Sequence, residues 1–375
     1  MGNKLYPIGI QSFEKLRNDG YLYIDKTALI YKLVKTGSYY FLSRPRRFGK
    51  SLLISTLEAY FQGKKELFDG LAIAGLEKDW VQYPILHIDL NISKYDSAQD
   101  LDDILNDYLT NWEALYGAAP SETSLALRFK GVVKRACEKT GQRVAILVDE
   151  YDKPMLQAIG NKELQEKYRN TLKPFYGVLK TMDSCIKFAL LTGVTKFGKV
   201  SVFSDLNNLD DISMWNEFIE ICGVSDNEIH EYLEEELHVF AAARGISYDE
   251  LCDELKRNYD GYHFTHNSVG MYNPFSLLSA FKRREFGSYW FETGTPTYLV
   301  TLLKKHHYDL ERMAHEETDA QVLNSIDSES TNPIPVIYQS GYLTIKGYDE
   351  RFGIYRLGFP NREVEEGFIR FLLPF

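Results

Sequence analysis

A run of residues with phosphate-binding character stands between a strand-like and a helix-like segment. The run is Arg-Pro-Arg-Arg-Phe-Gly-Lys-Ser at 44–51, after the apolar segment 39–43 and before the helix-forming segment 52–60. In this setting the backbone N–H groups of the loop and of the helix N-terminus can surround phosphate oxygens, and Lys50 can reach the β- and γ-phosphates. The Ser51 hydroxyl would ligate Mg²⁺. The run therefore predicts a P-loop that binds a nucleoside triphosphate with Mg²⁺.

The loop departs from the usual G-x-x-x-x-G-K-[ST] pattern at its first position, where Arg44 replaces glycine. Glycine suits that position because it readily adopts a positive φ, and Pro45 would have to rigidify the turn instead. The alternative interpretation is a basic surface loop with a chance Gly-Lys-Ser sequence. The predicted nucleotide contacts in this segment are Arg46, Arg47, Phe48, Gly49, Lys50, Ser51 and Leu52.

Two arginines inside the loop invite a separate interpretation. The guanidinium groups of Arg46 and Arg47 could stabilise transition-state charge, or could contact the γ-phosphate of a neighbouring subunit in a homo-oligomer. They could equally face solvent or pair with the acidic residues of segment 149–152. The sequence leaves these alternatives open.

Two adjacent carboxylates follow a second apolar run. Segment 143–148 reads Arg-Val-Ala-Ile-Leu-Val and is followed by Asp149 and Glu150, as in a Walker B strand. Asp149 would hold Mg²⁺ through its water shell, and Glu150 would orient and deprotonate the attacking water. The alternative, two acids that cap the next helix, does not explain why they follow a buried strand downstream of a P-loop. The two motifs together predict ATP binding and hydrolysis.

Strand-sized apolar runs alternate with helix-like segments in the first half of the chain. The runs lie at 39–43, 84–90, 143–148 and 186–191. A run without a polar face suits a strand that is buried on both sides, so the pattern predicts a parallel α/β sheet. We expect this sheet to end near 209–214 and the P-loop core to occupy residues 1–222.

The pattern becomes helical after the predicted core. Segment 226–237 carries apolar residues one turn apart, and Asn273 followed by Pro274 is typical of a helix start. We therefore predict a helical lid over 223–285.

The remaining segment, 286–375, contains strand patterns at 341–346 and 353–357 with a turn-forming segment between them. These patterns predict a hairpin. Thr295 followed by Pro296 predicts a helix at 297–305. A hairpin with a helix on each side would form a winged-helix-like module.

Composition limits the classes of partner. The formal net charge is −10, which argues against a protein that coats nucleic acid. The cations of the C-terminal module are offset by neighbouring acids, so we expect weak DNA contact at most. These cations are Lys346, Arg351, Arg356, Arg362 and Arg370.

The spacing of the cysteines and the length of the apolar runs indicate where in the cell the protein is expected. The four cysteines are far apart and form no C-x-x-C pair, as expected of thiols in a reducing cytoplasm. No signal peptide precedes the first strand, and no apolar run is long enough to span a membrane. We expect a soluble, cytoplasmic protein without membrane association.

Six stretches of the sequence together resemble a known family. They lie at 21–27, 44–51, 147–154, 191–197, 272–274 and 339–345. They resemble the AAA-ATPase-like proteins of bacteria and archaea, longer members of which continue into a PD-(D/E)XK-type nuclease domain. The resemblance implies that Arg-Pro-Arg-Arg is the usual form of the loop. It also implies a P-loop NTPase sheet of the additional-strand type, in which the strand ending at Thr192 lies between the P-loop strand and the Walker B strand.

The resemblance also implies roles for individual residues. Thr192 would be a sensor that contacts the γ-phosphate or the lytic water, although it could be a plain strand-end threonine. Related ATPases approach the nucleotide base near segment 25–27, so Tyr23 and Asp25 are expected base contacts. The alternative for Asp25 is the start of a helix. ATP is favoured over GTP.

The expected function is an ATP-hydrolysing regulatory module that acts as a nucleotide-driven switch. By resemblance, a nuclease effector domain would follow the last helix-like segment, and this chain would be part of a longer polypeptide. One alternative is a nucleotide-binding scaffold that does not hydrolyse ATP, against which Glu150 argues. The other is a DNA-binding protein that uses the winged-helix-like module, against which its balanced charge argues.

Overall fold

Five parallel strands form the central sheet in the computed structural model, which describes residues 4–197, 206, 208–293, 299, 315–324, 326 and 332–372. The strands are β1 (Tyr39–Ser43), β2 (Ile85–Asp89), β3 (Val144–Asp149), β4 (Ile186–Gly193) and β5 (Asp210–Asp211). Their order is β2-β3-β4-β1-β5, so β4 lies between the P-loop strand and the Walker B strand. The additional-strand topology is therefore confirmed, and the C-terminal ends of β1, β3 and β4 meet at one edge.

The sheet is covered on both faces, which explains the uninterrupted apolar runs. In β3, the side chains of Val144, Ile146 and Val148 enter one apolar core, and those of Ala145 and Leu147 enter the other. β1 and most of β4 repeat this alternation, whereas β2 alternates buried residues with half-buried ones such as His87. The observed strand bounds lie within two residues of the predicted ones.

Helices of the first half of the chain cover this sheet. They are α1 (Phe13–Asn18), α2 (Thr27–Thr36), α3 (Lys50–Phe61), α4 (Ala72–Leu76), α5 (Ala98–Tyr116), α6 (Leu125–Thr140), α7 (Lys153–Gln157) and α8 (Lys162–Thr181). Ser124 caps α6 and Asn161 caps α8, each through a side-chain oxygen. Segment 25–27 lies between α1 and α2, and Thr27 is the first residue of α2. No helix in the described ranges has both the length and the apolar character needed to cross a membrane.

Three further helices and a short two-stranded sheet occupy the predicted lid. They are β6 (Val224–Ser225), α9 (Asp226–Arg244), α10 (Tyr248–Tyr259), β7 (Met271–Tyr272) and α11 (Pro274–Arg283). Capping boxes begin α9 at Ser225 and α10 at Ser247, and the Asn273 side chain accepts from the first N–H groups of α11. Buried apolar residues of these helices form a cluster of their own, which includes Leu233 and Leu251.

The described part of the C-terminal segment contains an antiparallel sheet of order β8-β10-β9. Its elements are α12 (Tyr289–Glu292), β8 (Glu317–Asp319), α13 (Ala320–Asn324), α14 (Ile334–Gln339), β9 (Thr344–Asp349), β10 (Ile354–Gly358) and α15 (Arg362–Leu372). The predicted hairpin is present, but β9 begins three residues later than expected because residues 341–342 form the turn that ends α14, where Gly341 has φ 89°. The predicted helix at 297–305 lies outside the described residues except for residue 299.

This C-terminal segment packs directly on the P-loop core. Trp290, Tyr342 and Phe368 belong to the same apolar cluster as Phe48 and Leu53, which lie in and after the P-loop. The P-loop and the C-terminal helices therefore share one apolar core.

Candidate active site

The loop 44–51 turns through two residues with left-handed backbone. Gly49 has φ 97° and caps α3, and Arg47 has φ 66°. Glycine adopts such a φ without a steric penalty, which accounts for Gly49. Arg44 is not among the described residues with positive φ, so this loop places its turn three residues after the position of the missing glycine.

Arg44 has a structural role that its position in the motif does not suggest. Its side chain is buried, and its guanidinium donates to the carbonyl oxygens of Ser43 at 2.9 Å and Ser213 at 2.8 Å. The guanidinium carbon also lies 4.0 Å from the ring centroid of Phe264. Burial lowers the pKa of Arg44 to about 10. Arg44 therefore joins the P-loop strand to the segment after β5 and to the lid.

Lys50 connects the two predicted motifs. Its buried ammonium donates to the carbonyl oxygens of Arg44 at 3.1 Å and Pro45 at 3.3 Å. It also forms an ion pair with Glu150, at 3.4 Å between Nζ and Oε1. The P-loop lysine and the expected general base are thus in contact across the C-terminal edge of the sheet.

Asp149 and Thr192 lie on adjacent strands. Thr192 donates its hydroxyl to Oδ1 of Asp149 at 2.6 Å, and both side chains are buried. Oδ1 also accepts the backbone N–H of Glu150 at 3.1 Å. Glu150 itself has φ 53°, a left-handed value that an L-residue with a long side chain rarely adopts. This turn places the Glu150 side chain in the cavity that the P-loop lines.

Asp152 is a buried acid that the sequence analysis considered only as an arginine partner. Its carboxylate accepts from the N–H groups of Val194 and Thr195 and from the Thr195 hydroxyl. A Cβ on Gly193 would lie 2.5 Å from Oδ1 of Asp152, so this close approach requires glycine. Burial, and then the Glu150 carboxylate, raise the pKa of Asp152 to about 7 against the hydrogen bonds from Thr195.

Two adjoining cavities lie at this edge of the sheet. The larger, of about 330 Å³, is lined by the P-loop, by Glu150 and Lys153, by segment 7–11 and by lid residues. The smaller, of about 100 Å³, is mostly apolar. Five residues line both cavities: Pro7, Gly49, Leu52, Pro274 and Leu278. A cationic chamber beside an apolar one suits a polyphosphate joined to a base.

The structure separates the two expected base contacts. Tyr23 lines the smaller cavity together with Phe48. Asp25 lines neither cavity. Its Oδ1 accepts the N–H and hydroxyl of Thr27 at the start of α2, and its Oδ2 accepts the N–H of Ala72 at 2.7 Å. Asp25 therefore has the alternative role considered for it, at the start of a helix, and does not line the site where the base is expected.

Arg46 and Arg47 both line the larger cavity. The Arg46 guanidinium carbon lies 5.8 Å from the ring centroid of Trp290, and that of Arg47 lies 5.2 Å from Phe275. These distances are those of cation–π contacts. Each arginine therefore contacts an aromatic residue more than two hundred positions later in the chain.

Several cavity residues were missed by the sequence analysis. Lys153 follows the Walker B acids and adds a cation, and Phe275 closes the larger cavity from the lid. The signal for Phe275 was the Asn273-Pro274 helix start, which predicted the beginning of α11 but not the direction it faces. Nothing in the local sequence predicted that segment 7–11 would contribute to the cavity.

The residues present fit a magnesium ion in one specific way. No group of three or more His, Cys, Asp or Glu side chains that could hold a metal occurs in the described part of the chain. Ser51 lines the larger cavity, whereas Asp149 is 4% exposed and is not among the residues that line it. Within the described part of the chain, the hydrogen bonds of the Asp149 side chain use Oδ1. Ser51 would therefore ligate Mg²⁺ directly, Oδ2 of Asp149 would accept from a metal-bound water, and phosphate oxygens would supply the remaining ligands.

Comparison with known proteins gives one family match and two similar proteins. The sequence model of the AAA-ATPase-like family, described as "Predicted AAA-ATPase", matches residues 7–203. An uncharacterized protein in the vnfD 5' region of Azotobacter chroococcum mcd 1 is 40% identical over 370 residues, which cover 97% of this chain and 69% of that one. The Aeropyrum pernix ORC2 protein, solved as ADPNP-ADP complexes, aligns over 99% of this chain at 10% identity. Its TM-score of 0.32 is too low to support an argument.

The parallel sheet, its strand order and the loop before α3 define a P-loop nucleotide-binding fold. The chain belongs to the AAA-ATPase-like family.

Proposed function

We propose that the protein binds ATP with Mg²⁺ across the two adjoining cavities. The larger cavity carries Arg46, Arg47, Lys50 and Lys153, which match the charge of a triphosphate. The apolar lining of the smaller cavity, which includes Tyr23, suits the base. ATP rather than GTP is part of the proposal through the family to which the chain belongs.

We further propose that the site hydrolyses ATP with Glu150 as the general base. The observation that carries this proposal is the 3.4 Å contact between Lys50 Nζ and Glu150 Oε1. When phosphate oxygens take over the Lys50 ammonium, Glu150 is released to accept a proton from water. Thr192 holds Asp149 by its 2.6 Å hydrogen bond. Bound Mg²⁺, with Ser51 and Asp149 as its residues, would offset charge on the phosphates.

The same proposal includes a nucleotide-driven switch that acts on an effector. Pro274 and Leu278 of the lid line both cavities, and Phe275 lines the larger one. Bound ATP would therefore contact the lid and the sheet edge at once, and loss of the γ-phosphate would weaken the link between them.

Titration calorimetry with ATP and Mg²⁺ tests the binding step. Lys50→Ala should weaken binding by at least tenfold, because it removes the buried ammonium at the centre of the loop. Lys134→Ala is the matched control, since Lys134 is an exposed lysine on α6 in an ion pair with Glu138. Equal affinity of Lys50→Ala and Lys134→Ala would refute the P-loop assignment. A non-hydrolysing scaffold would bind ATP but release no phosphate.

A further inference from the structure

Trp290 contacts the backbone of the phosphate loop from the C-terminal segment. Its indole Nε1 donates to the carbonyl oxygen of Arg46 at 3.1 Å, across 244 residues of sequence. The Arg46 guanidinium also lies over the indole ring. Trp290 is fully buried and packs on Tyr342, with ring centroids 5.0 Å apart. A buried indole N–H needs such an acceptor, so this contact is specific.

The contact fixes the orientation of one peptide plane in the loop. In a trans peptide the carbonyl oxygen and the following N–H point in opposite directions. Because the Arg46 carbonyl points to Trp290, the N–H of Arg47 points away from it. Arg47 lines the cavity and has a left-handed φ of 66°, a conformation that needs support from its surroundings.

Glu363 in turn fixes Trp290. Its buried Oε1 accepts the backbone N–H of Trp290 at 2.7 Å and the Ser276 hydroxyl at 3.0 Å. Glu363 lies in the first turn of α15, where the helix dipole favours a carboxylate. Ser276 follows Phe275, which lines the larger cavity from the lid. One carboxylate oxygen therefore joins the C-terminal helix, the lid and Trp290.

We propose that Trp290 is a positioning residue for the phosphate loop and that Glu363 holds Trp290 in place. Trp290 aligns the Arg47 N–H for a phosphate oxygen before the nucleotide arrives, so no binding energy is spent on ordering the loop. The inference rests on the proposed function for its ligand, an ATP triphosphate. It extends that function by making ATP affinity depend on the packing of α15.

Trp290→Phe is the decisive variant because it removes the N–H and keeps an aromatic ring. We expect the KM for ATP to rise about threefold to tenfold, the worth of one hydrogen bond, with kcat within twofold of wild type. Trp215→Phe is the matched control, since Trp215 is 44% exposed and stacks on Phe218. Equal KM values for the two variants and wild type would overturn the proposal. So would a fall in kcat at unchanged KM.

Two variants at Glu363 test whether this residue holds Trp290 in place. Glu363→Gln keeps an oxygen acceptor for the Trp290 N–H and should stay within about twofold of wild type in KM. Glu363→Ala should show the same increase in KM as Trp290→Phe, provided that its thermal transition shows that it folds. A normal KM for folded Glu363→Ala would remove Glu363 from the proposal, and if this variant does not fold, Trp290→Phe decides alone.

Hydrogen exchange without nucleotide separates this inference from the proposed function. Peptides covering 44–51 should exchange faster in Trp290→Phe than in wild type and Trp215→Phe, because the Arg46 carbonyl has lost its donor. If wild type does not bind ATP but the exchange still rises, the proposed function fails and the loop contact stands. Unchanged exchange in Trp290→Phe, or an unchanged KM where wild type turns over ATP, would refute the inference and leave the proposed function standing.

Discussion

Thr192 and Asp149 are joined by a hydrogen bond of 2.6 Å between the ends of two adjacent strands. The bond occupies Oδ1 of Asp149 and thereby sets the direction of Oδ2. Both side chains are buried. The role of Thr192 as a sensor of the γ-phosphate or the lytic water stays a prediction, and the structure adds that its hydroxyl orients the acid on the adjacent strand.

Thr192→Val should therefore slow hydrolysis more than it weakens ATP binding. Loss of the hydroxyl frees the Asp149 carboxylate to rotate, and we expect kcat to fall about tenfold to a hundredfold. Phosphate-release kinetics would measure this effect, with Thr192→Ser as the control that restores the hydroxyl. A Thr192→Val enzyme with normal kcat would mean that Asp149 does not depend on this bond.

Glu150→Gln should retain ATP binding and slow hydrolysis by a factor on the order of 10²–10⁴, the usual contribution of a positioned general base. Single-turnover assays with the enzyme in saturating excess over ATP would measure the hydrolysis step, and titration calorimetry would measure ATP binding. Glu138→Gln is the control, because Glu138 is 62% exposed on α6 and far from the sheet edge. Unchanged turnover would remove Glu150 from the mechanism.

Restoring the missing glycine should damage the protein. Arg44→Gly removes four hydrogen bonds to carbonyl oxygens and the contact with Phe264, and it leaves a cavity in a buried site. We expect the free energy of unfolding to fall by about 2–4 kcal/mol, measured by urea denaturation. Arg44→Lys should lower the free energy of unfolding by less, because lysine keeps a hydrogen-bond donor at this position. Wild-type stability of Arg44→Gly would show that the motif glycine is tolerated here.

Asp152 should make stability depend on pH. Its pKa is raised to about 7, above the unfolded value of about 3.8, so the folded protein holds a proton that the unfolded chain has lost between these values. The free energy of unfolding should then fall as pH rises through this window, by up to about 1.4 kcal/mol per unit from this group. Asp152→Asn cannot ionise and should lose that slope, which denaturation at pH 5 and pH 8 would reveal. If wild type and Asp152→Asn differed in free energy of unfolding by the same amount at pH 5 and at pH 8, the raised pKa of Asp152 would be contradicted.

Duplex DNA should bind weakly and without sequence preference. Arg362 and Arg370 both pair with Glu366, and Lys346 donates to the carbonyl oxygen of Pro360 at 3.1 Å. Few cations of the C-terminal module thus remain for phosphates, and binding should decrease steeply between 50 and 200 mM salt. Fluorescence anisotropy with labelled duplexes would measure it. A tight, salt-resistant and sequence-selective complex would favour a DNA-binding function.

Local sequence was sufficient to predict the strand and the loop that position the site. Segment 144–149 had to be a strand between two cores because it lacks a polar face, and the loop before α3 followed from Gly49, Lys50 and Ser51. The position of β4 between β1 and β3 came from the family resemblance and not from any property of residues 186–193.

Contacts between distant segments could not be predicted in the same way. The partner of Arg44 at Ser213 lies 169 residues away, and the partner of the Arg46 carbonyl lies 244 residues away. Nothing in the neighbourhood of either arginine encodes these distances. The left-handed backbone conformation of Glu150 could not be predicted from local sequence either, because surrounding tertiary structure must support it.

The central position of β4 has a consequence for synthesis of the chain. β1 and β3 do not pair with each other, and each pairs with β4, which is made after both. A nascent chain that has emerged only as far as residue 185 therefore carries β1 without either of its neighbours, since β5 also comes later, and β3 with one open edge. The two halves of the site are still separate at this stage. Such edges attract other strands, so this stage is exposed to aggregation. The strand ends that carry the P-loop and Glu150 would be joined when residues 186–193 enter the sheet, and segment 274–293 would complete the lining of the larger cavity afterwards.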